Sequence, residues 1–374
     1  MKIEVRSLTG LRGVAATWVA LYHIHWQEVF TGQAWPILRH GYLAVDVFFV
    51  LSGFVMMMTY SRPGHSNWTT GKFLDFLVRR IGRVWPAYIL VTLSLCLLMG
   101  FRVLKGPVPS LNEFVVNFTL TESWFQMRSI DEPAWSVSAE FAAYILFPFA
   151  SFLVGRSSAF ISAFISIILI ALDLSLPTLQ AWVMVHPITS NGIFDISSRE
   201  TMVPVARCLI EFALGNVLFG VANQKIMDVS RSNWVAVPVM LIIIFTLCVS
   251  DLDYLFIIFI PVLIIVTAAS GRAVSLVFSN PAVYLVGCWS YSLYLIHFHS
   301  NLIQTMAQKI LSGLGWIAIP LSYAIQYGLL LSAAGLMYRF WEKPALRVFR
   351  GFGLFIERAF GSERLLPEAG KGAV

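Results

Sequence analysis

The sequence predicts an all-α fold: a polytopic membrane bundle of about ten transmembrane helices with both termini in the cytoplasm. Composition is the first reason. Hydrophobic residues make up 58% of the 374, charged residues only 12%, and the mean hydropathy is +0.76. A soluble domain carries about 25% charged residues. The second reason is spacing, because apolar runs of spanning length follow one another from end to end. The third is charge asymmetry. With the N-terminus inside, 19 of the 26 Lys and Arg fall on the inner side of the predicted spans.

The elements follow in order. Span 1, residues 10–30, carries Arg12 and His23. Eleven residues are close to three helical turns, so the two share a face, and His25 takes the opposite one. No small-residue cleavage site follows this run, so it is expected to stay as a span. Span 2, 42–60, opens with Asp46. Span 3, 84–101, has Arg79, Arg80 and Arg83 at its expected cytoplasmic mouth. The stretch 102–133, with Gly106, Pro107 and Pro109, is the most loop-like long segment.

Span 4, 134–154, starts outside behind Glu132 and Pro133, a proline suited to a first turn. Ser136, Glu140 and Tyr144 form a polar stripe near its outer end. Span 5 is 159–176, followed by a second loop-like stretch, 177–201. Span 6, 202–221, carries Arg207 and Glu211 four apart, an expected intrahelical ion pair. Spans 7 and 8 are 234–250 and 253–270. Span 9, 281–301, aligns Ser290, Tyr294, His297 and Asn301, rising toward the outside. Span 10, 316–339, ends at Arg339, Glu342 and Lys343. Residues 1–345 thus form one membrane domain, and 346–374 a cytoplasmic tail. The tail is expected to run as an amphipathic helix along the inner leaflet from Arg347 to Phe360 and to be disordered over 361–374.

The polar groups sort into two layers. Arginines at the inner span ends offer planar forks for phosphate. His23, Asp46 and Glu140 lie deeper or outward, where an ionisable group is costly and usually faces a cavity, a partner or a substrate path. Each signal has a plainer reading. An arginine cluster also fixes topology, Asp46 can pair with a neighbouring span, Glu140 can bridge to Arg207 or Arg128, and the span 9 stripe can bond between helices. The four cysteines are scattered singly, with neither metal-ligand nor disulfide spacing. The net charge of +6 gathers at span ends, and the hydrophobicity excludes a soluble nucleic-acid binder.

In order along the chain stand Leu11, Arg12 and Gly13 with His23; Gly41, Asp46 and Gly53; Arg80 and Arg83 with Trp85 and Pro86; Trp135, Ser136 and Glu140; Arg207, Glu211, Phe212 and Gly215; Ser290, Tyr294 and His297; and Glu342 with Pro344. In these seven marks, over about residues 5–345, the chain resembles the acyltransferase-3 family of integral membrane acyltransferases. The resemblance implies transfer of an acyl group, by default acetyl, from cytoplasmic acyl-CoA to a hydroxyl of an extracytoplasmic carbohydrate such as an exopolysaccharide or O-antigen. It implies no permanently bound cofactor, and residence in a bacterial inner membrane. The short stretch after span 10 resembles the stand-alone members, without a fused hydrolase-like domain.

On that reading Arg12, Arg79, Arg80 and Arg83 hold the CoA phosphates, His23 is the general base, and Asp46 orients it. Glu140, with Trp135, shapes the acceptor side. The competing class is a proton-coupled transporter or flippase of a polar solute, which would use the same intramembrane acids and histidine as a relay. A non-catalytic scaffold would tolerate substitution of Arg80, Arg83 and His23.

Overall fold

A computed structural model describes residues 5–24, 36–60, 68–104, 106–155, 157–183, 192–195, 201–249 and 251–361. Among these residues the fold is all-helical. The helices are α1 (Arg6–His23), α2 (Pro36–Arg39), α3 (Ala44–Tyr60), α4 (Thr70–Gly100), α5 (Leu111–Phe118), α6 (Trp135–Val154), α7 (Ala159–Val183) and α8 (Val203–Val221). There follow α9 (Gln224–Ser230), α10 (Asn233–Cys248), α11 (Asp253–Ala269), α12 (Arg272–Phe278), α13 (Pro281–Ile296), α14 (Asn301–Ile310), α15 (Ala318–Met337) and α16 (Lys343–Gly361). Each of the ten predicted segments overlaps a helix. Six helices are long and apolar enough to cross a membrane, or up to eight if each of two bent pairs is one span. The pairs are α9 with α10 and α11 with α12, bent by 72° and 94°. His25 and residues 362–374 lie outside the described residues.

The burial pattern is that of a chain whose solvent is lipid. The buried residues of α7 are Ser162, Ser166, Asp173, Leu176 and Gln180, while Phe160, Phe164, Ile167 and Trp182 point outward. That inverts the soluble helix, whose apolar stripe faces the core. It follows because apolar side chains cost nothing against hydrocarbon, whereas polar ones need partners.

Small residues set the closest helix contacts. α1 packs along α13, and α3 along α8. A Cβ on Gly287 would lie 2.0 Å from the Thr9 carbonyl oxygen, and one on Gly53 2.0 Å from that of Phe212. Backbone cannot yield as a flexible side chain can. Gly287→Ala is therefore expected to lower stability by about 1–3 kcal/mol through prising α1 from α13. Thermal unfolding of the detergent-solubilised protein checks this, and an unchanged midpoint would show that the two helices separate without cost.

Two sequence expectations change, and a third gains a partner. Hydropathy predicts span 3 at 84–101, but α4 begins at Thr70, where the Thr69 hydroxyl accepts from the Lys72 N–H. Arg79, Arg80 and Arg83 thus sit within one continuous helix, more than two turns after its start. Hydropathy finds only the apolar half; the first half is helical because it is amphipathic and has something to pack on. The 102–133 stretch contains α5, opened by a capping box between the N-cap Ser110 and Glu113. The amphipathic helix expected from Arg347 to Phe360 is α16, and it packs on α4. Its approach is close enough that a Cβ on Gly353 would meet an Asp75 oxygen at 2.3 Å.

Candidate functional site

At one end of the bundle α1, α3, α4, α13 and α16 enclose a cavity of about 950 Å³. Eight basic side chains line it: Arg12, Lys72, Arg79, Arg80, Arg83, Lys343, Arg347 and Arg350. Only two acidic ones do, Asp75 and Glu357. All four arginines expected to bind phosphate are here, and α16 adds Lys343, Arg347 and Arg350.

The four are not equivalent. Arg79 donates from Nε to both oxygens of Asp75, at 2.7 Å each. Arg83 is paired with Glu342, which also accepts from the Ser292 hydroxyl at 2.9 Å. The Arg80 guanidinium lies near the rings of Tyr60 and Tyr144, 6.0 and 5.9 Å from their centroids, and its buried Nε has no hydrogen-bond partner among the described residues. A buried donor without a partner is expensive unless a ligand or water completes it. Tyr291 and Trp341 donate to the carbonyls of Val84 and Pro86, fixing α4 where its proline interrupts the helix ladder.

His23 stands at the far end of α1 from Arg12. Eleven residues of helix rise about 16 Å. Its Nδ1 is 3.0 Å from the Val19 carbonyl and 3.1 Å from Nε2 of His297. The rings of Tyr22 and Phe298 flank it, at 4.7 and 5.4 Å between centroids. His297 is fully buried, with Nδ1 2.6 Å from the Tyr294 carbonyl. The Tyr294 hydroxyl contacts the Ser136 hydroxyl at 2.7 Å and donates to the Pro133 carbonyl at 2.9 Å. The stripe read on span 9 does bond between helices, and His297 meets His23. Both predicted spans ran from inside to outside and carried histidine near the outer end; that shared level was the signal in the sequence.

The expected pairing of Asp46 with His23 gives way. Asp46 is committed to Arg207, which reaches it through Nε at 2.8 Å and through a terminal nitrogen. The predicted Arg207–Glu211 pair forms at 3.4 Å within the same cluster. Geometry decides here: α3 lies against α8, so the first turn of α3 delivers its carboxylate to the guanidinium of α8. Glu140 bridges to neither Arg207 nor Arg128 in this arrangement, and instead accepts from the Ser52 hydroxyl of α3. On α6 it lies one turn from Ser136, which meets Tyr294, and one turn from Tyr144, whose ring faces Arg80.

Outside the spans, in the turn after α5, burial pushes the Glu122 carboxyl up to about 8. Its neighbour Tyr88 donates to Asn117 at 3.0 Å. Among the described residues no cluster of histidine, cysteine or acid can hold a metal.

Residues 5–339 match the model of the acyltransferase-3 family, described as an acyltransferase domain. The chain belongs to the acyltransferase-3 family. It is similar to the acyltransferase MdmB of Streptomyces mycarofaciens, 34% identical over 158 residues, which is 39% of each chain. It is also similar to the O-acetyltransferase OatA of Staphylococcus aureus, 26% identical over 384 aligned positions, covering 93% of this chain and 58% of that one. A third relative, protein 2 in the picA locus of Rhizobium radiobacter, is 36% identical over 103 residues, 27% of this chain and 50% of the other. The chain spans about half the length of these relatives. No solved structure matches it.

Proposed function

We propose that this protein is an integral membrane O-acyltransferase that moves an acyl group, by default acetyl, from cytoplasmic acyl-CoA to a hydroxyl of a surface or exported carbohydrate. The observation that carries this reading is a basic cavity and a histidine at opposite ends of α1. A donor seated in the cavity must have a highly anionic head and a thin arm that spans about 15 Å to its reactive carbon. Acyl-CoA has that build: phosphates, then pantetheine, then thioester. Membership of the family, and the names of MdmB and OatA, support the same chemistry.

The phosphates rest on Arg80 and Arg12, with Lys72, Arg347 and Arg350 closing around them. Arg79 and Arg83, each held by an acid, shape the cavity and contribute field. Cavity and tail then face the cytoplasm, with both termini inside, ten spans between them, and a bacterial inner membrane as the site of action. His23 takes the proton of the acceptor hydroxyl as that oxygen attacks the thioester carbon. The carbon–sulfur bond breaks, and the CoA thiolate takes the proton back from His23. Glu140, near Trp135 on α6, faces the route between donor and acceptor.

Arg80→Ala is the cleanest test of the donor site, because among the described residues Arg80 has no ion-pair partner to orphan, whereas Arg83 has Glu342. Protein in nanodiscs is expected to bind acetyl-CoA, and Arg80→Ala to weaken binding about tenfold or more. Added salt should weaken the wild type more than the variant. Equal binding of acetyl-CoA by the two proteins at low salt would refute the assignment. No binding by either, with proton-driven solute transport in liposomes, would favour the transporter.

A further inference from the structure

We propose that His297 is the positioning residue of His23, the two imidazoles forming a dyad in which His297 accepts from the base and takes up part of its charge. This rests on His23 as the general base. The protons follow from two backbone carbonyls. A carbonyl only accepts, so Nδ1 of His297, 2.6 Å from the Tyr294 carbonyl, carries the hydrogen. A neutral imidazole has one N–H, so Nε2 of His297 keeps its lone pair. That lone pair faces Nδ1 of His23 at 3.1 Å, and the Val19 carbonyl faces the same Nδ1 at 3.0 Å. Two acceptors converge there, so Nδ1 of His23 carries its hydrogen and Nε2 keeps the lone pair. That is the tautomer a base needs.

The fold holds His297 firmly enough to impose this. Its backbone N–H donates to the Leu293 carbonyl, and the Ser300 hydroxyl donates to its own carbonyl at 2.6 Å. Its ring is wholly buried. The chemistry balances. The acceptor O–H proton passes to Nε2 of His23 as the new carbon–oxygen bond forms. His23 is then an imidazolium whose Nδ1–H donates to the neutral His297, a charge-assisted bond stronger than the resting one. When the carbon–sulfur bond breaks, the Nε2 proton moves to the CoA thiolate, leaving ester, CoA thiol and neutral His23.

A carboxylate in the place of His297 would hold His23 charged at rest; a neutral imidazole does not, and strengthens its bond only as charge develops. Among the described residues, the titratable groups facing the pair are Tyr22 of α1, Tyr294 of α13, and His299 after α13, with Asp131 3.5 Å from His299. All are unaltered in the variants below.

The test uses inverted membrane vesicles that carry the full chain and their own acceptors, fed [14C]acetyl-CoA, with alkali-labile label as the readout. His297→Leu is expected to lower the rate about 100-fold. His297→Gln, whose amide oxygen can still accept from Nδ1, should recover at least about tenfold of that loss. His297→Glu should move the acidic limb of the pH–rate profile up by about one unit or more. The dyad is wrong if His297→Leu keeps the wild-type rate. It is equally wrong if Gln and Glu variants, at normal abundance, lose rate by one common factor and keep the wild-type pH profile; these two carry the test if the Leu variant does not fold. His23→Ala in the same vesicles tests the base separately, since a full rate there would sink the general-base reading itself.

Discussion

His23→Ala lowers O-acyl transfer by about 10²–10⁴-fold, the usual cost of removing a general base, while the protein stays in the membrane at normal abundance. Both halves of that expectation come from the structure. The His23 ring is only partly buried and bonds to its own helix at Val19, so its loss leaves α1 otherwise intact. The contacts that seat α1 on α13 lie further down, around Gly13 and Gly287, and are untouched. The chemical loss is large because few groups near the site can take its place as a base. Tyr22 and Tyr294 are phenols, which are poor bases when neutral, and His297 is wholly buried behind His23. The measurement is the ester content of the host's surface polysaccharides, by NMR and mass spectrometry, in a deletion strain restored with wild type or variant. Loss of one ester in both the deletion and the variant identifies the acceptor and supports the base. An undiminished ester with His23→Ala would make this histidine a packing residue. No ester lost on deletion would move the acceptor to a lipid or small molecule.

What the sequence revealed was what is local. Arg12 and His23 share a face of α1 because eleven residues fix their angle, and nothing distant can change that. The Ser136, Glu140 and Tyr144 stripe, and the Arg207–Glu211 pair, are periodicities of single helices and hold for the same reason. Apolar segments show themselves one at a time, so helices were found where spans were expected. Partners were another matter. Asp46 could have met any neighbouring helix; only the packing of α3 on α8 decides that it meets Arg207 rather than His23. The first half of α4 is amphipathic, so a hydropathy window passes over it, and the amphipathic pattern from Arg347 to Phe360 shows a helix but not that it packs on α4. Yet these two segments together build most of the basic cavity, and Gly82 and Gly353 are small because the helices cross there. The donor site was thus half legible: its arginines from residue type, its enclosing wall only from tertiary structure.

The same packing predicts the largest stability effect in the molecule. Arg207 is buried to 2% exposure among Asp46, Glu211 and Asp173, none more than 1% exposed. Arg207→Met removes the guanidinium and leaves those carboxyl groups stranded in a low-dielectric interior. Breaking a buried ion pair from one side costs about 3–5 kcal/mol, a large share of the roughly 5–15 kcal/mol that holds a typical protein folded. The variant is therefore expected to be scarce in membranes and to lose its monodisperse peak in detergent at a much lower temperature than wild type. Adding Asp46→Asn to Arg207→Met should restore part of the loss, since a buried amide costs far less than a buried unpaired carboxylate. This also separates structure from chemistry at Asp46. If Asp46 serves the fold through Arg207, Asp46→Asn lowers abundance but leaves the rate per folded molecule nearly unchanged. If it served His23, the folded fraction would be slow. Wild-type thermal stability in Arg207→Met would refute the stabilising role of the cluster, and would reopen the search for what three acids and one arginine are doing between α3, α7 and α8.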